Sequence, residues 1–176
     1  MPAPTVSPFR YPIMQWAYVI NDIDAGCAKW TEMAGAGPFY VSKHHVGSHT
    51  YRGNLTTPDI SYAFGSVGDV HVQLIQQHCT TPSVYRDMYA PGQEGFHHFA
   101  LLVPDYLAER ERFVAAGNPV VTELVSAARV CYVDARNWLG AFVELYEDNE
   151  PLRKIFSGWN AEHARWDGRT DPMRRL

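Results

Sequence analysis

The sequence that decides the fold is GFHHFALLV, residues Gly95–Val103, in which two adjacent histidines precede five apolar residues. A β-favouring run that follows a glycine is typical of a buried strand, and successive side chains on a strand point to opposite faces. We therefore predict that His97 and His98 face opposite sides, and that His98 shares its face with Ala100 and Leu102. A single half-buried histidine with a satisfied hydrogen bond would also explain this stretch. The stretch, however, has a counterpart elsewhere in the chain.

The order of predicted elements occurs twice along the chain. Residues 13–76 predict a strand, a helix and three strands, and residues 95–147 predict the same order after a connector at 77–94. Neither half would bury its sheet alone. We therefore predict an α+β fold in which two tandem βαβββ modules form a curved mixed sheet that encloses a cleft, with the helices outside. An N-terminal arm, 1–12, precedes the modules, and a C-terminal helix and tail, 148–176, follow them.

Corresponding strands of the two halves carry polar residues inside apolar runs. Aligning QWAYVI with HFALLV pairs Gln15 with His98, and aligning VQL with VEL pairs Gln73 with Glu144. The chain separations within the two halves, 58 and 46 residues, differ by 12 residues. We assign this surplus to a loop near residues 44–59, because insertions belong in loops and long loops often cover ligand sites.

These four polar residues form a candidate metal site. A buried carboxylate such as Glu144 is costly unless it is paired or bound to a metal. One imidazole nitrogen, one carboxylate and two amide oxygens suit Mn²⁺, Fe²⁺, Ni²⁺, Co²⁺, Zn²⁺ or Mg²⁺, and they leave positions open for substrate or water. The alternative is the exposed face of a two-sided sheet, on which alternating polar residues are normal.

The composition favours a small-molecule ligand. Fifteen basic and nineteen acidic residues give a net charge of −4, and no basic stripe interrupts an otherwise ordinary composition. Nucleic acid and anionic membranes are therefore poor candidate partners. Residues 1–12 contain four prolines and no apolar core, so we expect neither a signal peptide nor a membrane span, and a cytoplasmic protein.

The repeated modules and their polar strand positions resemble the vicinal oxygen chelate superfamily, which includes glyoxalase I, methylmalonyl-CoA epimerase, bleomycin-resistance proteins and extradiol dioxygenases. The resemblance covers residues 13–147, and its best matches are GFHHFA at 95–100 and FVELY at 142–146. It implies that His98 rather than His97 is the metal-binding histidine. It also implies a homodimer, to which the tail would contribute by clasping a second subunit or would instead fold back over its own domain.

The two glutamines are a departure within that resemblance. The family has His or Gln at the position of Gln15, and Glu or Gln at the position of Gln73. Having glutamine at both leaves Glu144 as the single anionic ligand, which predicts weaker metal binding.

The resemblance implies a proton-transfer reaction. In the glyoxalase and epimerase branch the metal binds substrate oxygens and stabilises an enolate or enediolate, while a carboxylate moves the proton on the carbon beside the carbonyl. We expect Glu144 and Gln73 to be the catalytic residues of an isomerase, epimerase or lyase. One alternative is a metal-free binding protein of the bleomycin-resistance type, which the doubled glutamine favours. The other is an iron-dependent ring-cleaving dioxygenase, for which His71 would supply the second histidine.

Candidate substrate-binding residues lie on the strands that should border the cleft. Aromatic residues make up 13% of the chain, which favours a hydrophobic carbonyl or thioester substrate with a ring or an acyl chain. Arg52 is a candidate for neutralising a substrate carboxylate or phosphate, although Arg86 and Arg129 are equally possible. His44, His45 and His49 of the predicted loop are expected on the surface, and the alternative is that they line the entrance of the cleft or bind substrate. The full candidate set is His71, Tyr62, Phe64, Tyr132, Phe142 and Arg52.

Overall fold

The computed structural model describes residues 9–176, so the first eight residues of the predicted N-terminal arm lie outside the described part. The elements of the first half are β1 (Ile13–Val19), α1 (Ile23–Ala34), β2 (Phe39–Val46), β3 (His49–Tyr51), β4 (Asn54–Thr56), β5 (Asp59–Val67) and β6 (Val70–Gln77). Those that follow are β7 (Gly95–Val103), α2 (Tyr106–Ala115), β8 (Val120–Val125), β9 (Arg129–Asp134), α3 (Arg136–Leu139), β10 (Phe142–Glu147), α4 (Glu150–Arg165) and β11 (Met173–Arg175). The predicted α+β fold with a C-terminal helix is confirmed.

The eleven strands of residues 9–176 form one mixed sheet in the order β11-β2-β5-β6-β1-β7-β10-β9-β8-β3-β4. The first strands of the two halves, β1 and β7, pair antiparallel at its centre. Each of them also pairs in parallel with the last strand of its own half, β1 with β6 and β7 with β10. The four strands that carry the predicted polar residues are therefore neighbours, because the halves join through their first strands.

Apolar side chains form separate clusters on the two faces of the sheet. On the outer face Leu74 packs with Cys27 of α1, and Leu101 packs with Phe113 of α2. The inner-face cluster includes Ala100, with Leu102 packed against it. The predicted split of the β7 side chains after His98 is thus confirmed. Helices α1 and α2 both lie outside, whereas Leu152 and Phe156 of α4 pack into the inner-face cluster, so the cleft lies on the part of the inner face that α4 does not cover.

A β-bulge changes the predicted orientation of the two histidines. Ala17 and Tyr18 of β1 pair with His98 and Phe96 of β7, so His97 is an extra residue in its strand. Both histidines are fully buried, and their Nδ1 atoms lie 2.8 Å apart. The prediction that they face opposite sides is wrong, because two residues of a bulge oppose one partner residue and the alternation is lost there.

The additional residues of the first half form a β-hairpin, β3–β4, rather than the predicted loop. β2 continues to Val46, β3 pairs with β4, and β3 also pairs with β8 of the second half. The N–H of Arg52, at the turn of the hairpin, donates to the carbonyl of Val121 at 2.8 Å. The hairpin thereby joins the two halves a second time and covers one side of the cleft.

The C-terminal tail consists of helix α4 and the short strand β11. α4 begins after its N-cap Asn149, whose side chain accepts the Leu152 N–H. Because β11 pairs with β2 and α4 packs on β5, the tail folds back over its own sheet.

A membrane-spanning helix is absent from residues 9–176, since none is both long and apolar enough.

Candidate active site

The structure brings together the four polar residues predicted from the repeat. Gln15, Gln73, His98 and Glu144 are each at most 2% exposed. The Nε2 of Gln15 donates to Oε1 of Gln73 at 3.0 Å. The Nε2 of His98 lies 3.0 Å from Oε2 of Glu144. Each half thus contributes one contacting pair, and the pairs lie on adjacent strands.

The buried histidine pair has one consistent arrangement of protons. The Nε2 of His97 lies 3.1 Å from the carbonyl of Val84, which can only accept, so this nitrogen carries the proton. Burial, and then the neighbouring His98, lower the pKa of His97 well below its usual range, so the ring is neutral. Its Nδ1 is therefore an acceptor, and Nδ1–H of His98 donates to it across 2.8 Å. The Nε2 of His98 is left with a free lone pair.

That lone pair points at a carboxylate. When the His98 ring is neutral, its Nε2 and the Oε2 of Glu144 are both acceptors, yet they are 3.0 Å apart. A cation, either a proton or a metal ion, has to lie between two such atoms for the contact to be favourable. The Oε1 of Gln15 is likewise buried without a hydrogen-bond partner among the described residues. Unpaired buried acceptors are costly, and the donor set of one imidazole, one carboxylate and amide oxygen fits a divalent metal ion.

A cavity of about 220 Å³ opens above these residues, and Gln73 and Glu144 form part of its wall. Much of the remaining wall is aromatic. The hydroxyl groups of Tyr85 and Tyr132 lie 3.2 Å apart. Burial is the main reason that the pKa of Tyr62 rises to about 12, and the charge of Glu144 adds to the effect. The phenols therefore stay protonated at neutral pH and can donate hydrogen bonds. The tyrosines of the wall are Tyr62, Tyr85, Tyr132 and Tyr146.

A known protein superfamily matches more than half of the chain. The profile of the Glyoxalase/Bleomycin resistance protein/Dioxygenase superfamily matches residues 14–132. The chain belongs to this superfamily. The predicted resemblance to the vicinal oxygen chelate proteins is thus confirmed. No curated protein matches the chain by sequence.

Solved structures of the superfamily share the fold. Methylmalonyl-CoA epimerase from Mycobacterium tuberculosis is 18% identical, with a TM-score of 0.56 over 80% of this chain and 89% of the epimerase. A variant of the Streptomyces coelicolor epimerase in complex with 2-nitronate-propionyl-CoA is 16% identical, with a TM-score of 0.53 over 80% of this chain and 99% of that one. A variant of 4-hydroxymandelate synthase from Streptomyces coelicolor is 15% identical, with a TM-score of 0.58 over 78% of this chain and 38% of that one.

The predicted aromatic residues have different positions in the superfamily fold. Tyr62, Phe64 and Tyr132 line the cavity. Phe142 is fully buried and stacks on His97, with ring centroids 5.0 Å apart. Phe142 therefore packs against the histidine pair and is not among the residues that line the cavity.

Two further candidates lie away from the cavity. His71 is 3% exposed, its Nδ1 lies 3.3 Å from Ser66 Oγ, and its ring packs against Phe156 of α4 at 5.1 Å. Burial lowers the pKa of His71 to about 4. Arg52 forms an ion pair with Asp87 at 2.7 Å on the surface of the hairpin. The structure therefore places His71 under α4 and Arg52 outside the cleft.

The sequence patterns missed several residues of the cavity. His45 and His49 were expected on the surface, with a position at the cleft entrance as the alternative; although His45 is exposed, both line the cavity. The hairpin brings His49 there, and burial, followed by the proximity of His45, lowers its pKa. Tyr85 comes from the connector, where an isolated aromatic residue was the only signal. The remaining wall residues are Ser42, Leu124, Ser126, Val130 and Leu176.

Proposed function

We propose that the protein is a metal-dependent isomerase, epimerase or lyase that moves a proton on the carbon beside a carbonyl group, through an enolate-like intermediate. The substrate would be a hydrophobic carbonyl compound or thioester. The chain belongs to the Glyoxalase/Bleomycin resistance protein/Dioxygenase superfamily, and its fold occurs in methylmalonyl-CoA epimerase and in 4-hydroxymandelate synthase. Those relatives support a catalytic role, and the choice of reaction depends on the site itself.

One observation carries the proposal, namely the contact at 3.0 Å between two acceptors, Nε2 of His98 and Oε2 of Glu144. The hydrogen bonds from His97 to Val84 and from His98 to His97 leave the first of these atoms as an acceptor whenever the His98 ring is neutral. A divalent ion held by His98, Glu144 and the Oε1 of Gln15, with Gln73 beside it, would satisfy every unpaired acceptor in the site. Such an ion would supply a Lewis acid that stabilises negative charge on a substrate oxygen.

The side chains of this chain have separable roles in the proposed reaction. Glu144 reaches both the candidate metal position and the cavity, so its carboxylate can accept the proton from the substrate carbon and return it. Gln73 lines the same wall and can donate from Nε2 to a substrate oxygen. The tyrosine rings exclude water, and their protonated hydroxyl groups can orient the substrate.

A second candidate function is binding without catalysis. The aromatic cavity and the direct hydrogen bond between Gln15 and Gln73 favour a protein that sequesters an apolar ligand, as bleomycin-resistance proteins do. The iron-dependent dioxygenase is less well supported, because His71 packs under α4 and leaves His98 as the only histidine among the predicted metal ligands.

The decisive test is elemental analysis of protein purified without chelator or affinity tag, followed by proton exchange. Wild type should contain one metal equivalent that Glu144→Gln lacks. Glu147→Gln, which removes a carboxylate from the same strand outside the cavity, should retain it. NMR in D₂O would then detect exchange of the proton beside the carbonyl in thioesters and ketones. Equal metal contents in wild type and Glu144→Gln would contradict the site, and ligand binding without metal or proton exchange would favour sequestration.

The predicted cytoplasmic location and the homodimer belong to the same proposal. Both are inferred from membership of the superfamily. Size-exclusion chromatography with light scattering would measure the oligomeric state directly.

A further inference from the structure

Three strand ends meet at one edge of the first half, and each carries a residue that can bind a metal. His44 lies near the end of β2, Asp59 begins β5, and His78 directly follows β6. These strands are neighbours in the sheet. The N–H of His78 donates to the carbonyl of Asp59 at 2.9 Å. The backbone therefore fixes the three residues next to one another.

A second β-bulge directs the side chain of His44. Ser42 and His45 pair with Tyr62 and Ile60, so β2 has one more residue than β5 between these pairs. His44 has a φ of 51°, which is uncommon for a residue other than glycine, and its N–H donates to Ser61 Oγ at 3.1 Å. The bulge sends His45 into the cavity, whereas His44 lies against Asp59 outside it.

The side-chain atoms of this cluster lie close enough to share one ion. Nδ1 of His44 is 3.0 Å and 3.2 Å from the two carboxylate oxygens of Asp59. The rings of His44 and His78 stack with centroids 4.1 Å apart. One ligand atom from each of the three residues lies within 4.8 Å of the other two. Ligands of a tetrahedral zinc ion, at roughly 2.0–2.1 Å from the metal, are separated by about 3.4 Å, so binding an ion would draw the three side chains closer together.

We propose that His44, Asp59 and His78 form a second divalent-cation site, best suited to Zn²⁺, at the base of the β3–β4 hairpin. Two imidazoles and one carboxylate are a zinc-type ligand set that leaves a fourth position for water. Both histidines are exposed, so an ion reaches them directly from solvent. The hairpin leaves the sheet after β2 and returns at β5. An ion bridging these strands therefore stabilises the cover of the cavity, independently of the reaction inside it.

The test is a Zn²⁺ titration of the full chain against a chromogenic chelator. Asp59→Asn and His78→Gln should each weaken one binding event by about tenfold or more, because each removes one of three ligands. The matched control is Asp69→Asn, since Asp69 is exposed in the turn at the other end of the β5–β6 pair. Its titration should match that of wild type. Zn²⁺ should also raise the melting temperature of wild type and of the control more than that of Asp59→Asn.

A second measurement separates this site from the one in the cavity. In Glu144→Gln protein, one equivalent of Zn²⁺ should shift the imidazole NMR signals of His44 and His78 while leaving those of His97 and His98 unchanged. Absence of those shifts, or identical titrations of wild type and both ligand variants, would overturn the second site. Neither result would bear on the metal content lost through Glu144→Gln, so the two sites fail independently.

Discussion

The two halves of the sheet place equivalent residues on equivalent strands, but the hydrogen bonds they make are opposite in kind. In the first half a donor meets an acceptor, since Nε2 of Gln15 bonds to Oε1 of Gln73 at 3.0 Å. In the second half an acceptor meets an acceptor over the same distance, between Nε2 of His98 and Oε2 of Glu144. The first pair is neutral and largely satisfies itself, whereas the second requires a cation. The same backbone arrangement thus supports one neutral hydrogen-bonded pair and one pair that requires a cation.

Replacing the carboxylate should have the largest effect, because it converts the second pair into the kind found in the first. In Glu144→Gln the new amide N–H would donate to Nε2 of His98, which removes the need for a cation. We expect turnover to fall by about 10²–10⁴, as for the loss of a general base. The free energy of unfolding of the metal-free protein should be unchanged or about 1 kcal/mol higher. Steady-state kinetics and urea unfolding measure the two effects, and a marked loss of stability would contradict the acceptor–acceptor assignment.

Removing the support of His98 should have the next largest effect. In His97→Ala, Nδ1–H of His98 loses its acceptor and the ring of Phe142 loses its stacking partner. We expect metal affinity to fall by about 10–100-fold and unfolding to become easier by roughly 2–4 kcal/mol. His97→Gln, which can still accept from His98, should recover part of the metal affinity. If both variants bound metal as wild type does, His97 would serve packing alone.

Adding a carboxylate to the first half should reduce the difference between the halves. In Gln73→Glu the new carboxylate would still accept from Gln15, and it would give the metal a second anionic ligand. We expect divalent-ion affinity to rise by about tenfold, because opposite charges attract strongly in a buried site. The metal-free protein should be destabilised by two neighbouring buried carboxylates. Calorimetric titration with Mn²⁺ measures the affinity, and an unchanged value would place Gln73 outside the reach of the metal.

The smallest effect on the proposed metal site and reaction is expected at His71, the histidine on the strand of Gln73. Its folded pKa of about 4 lies below the usual 6.5, so between these pH values the unfolded chain binds a proton that the folded chain does not. Unfolding free energy should therefore fall as the pH drops from 6.5 to 4, by up to about 3 kcal/mol from this group. His71→Asn should show a shallower dependence than wild type in urea unfolding at several pH values. Parallel profiles would mean that His71 is protonated in the folded protein.

The internal repeat made much of the fold predictable from sequence. The polar positions of Gln15, Gln73, His98 and Glu144 stood out because each interrupts an apolar strand, and the structure brings them together. Their metal and catalytic roles stay predictions. The bulge at His97 was not predictable, because one extra residue changes which side chains share a face without changing the apolar pattern.

Long-range pairing accounts for most of the remaining differences. The β3–β4 hairpin pairs with β8, whose residues are far away in the sequence, so its polar residues gave no sign of a partner. The tail likewise contains a three-residue strand, β11, that exists only because β2 offers an open edge. At the start of α1, Asn21 and Asp22 are both suitable N-cap residues by type, and the cap is Asp22, whose carboxylate accepts two backbone N–H groups. Two adjacent capping residues cannot be ranked from sequence alone.

The hairpin also has a consequence for how fast a ligand can enter and leave. Two residue pairs, Thr50 with Glu123 and Tyr51 with Thr122, join β3 to β8, and the hairpin is held further by bonds from Arg52 to Val121 and Asp87, from Tyr51 to Asp87 and from Thr56 to Pro82. Opening this seam exposes the cavity while the central strands stay paired, and such local opening requires far less free energy than global unfolding. We therefore expect the residence time of a ligand to depend on these peripheral hydrogen bonds, and its affinity to depend on the tyrosine-lined interior. Evolution can adjust the two quantities separately.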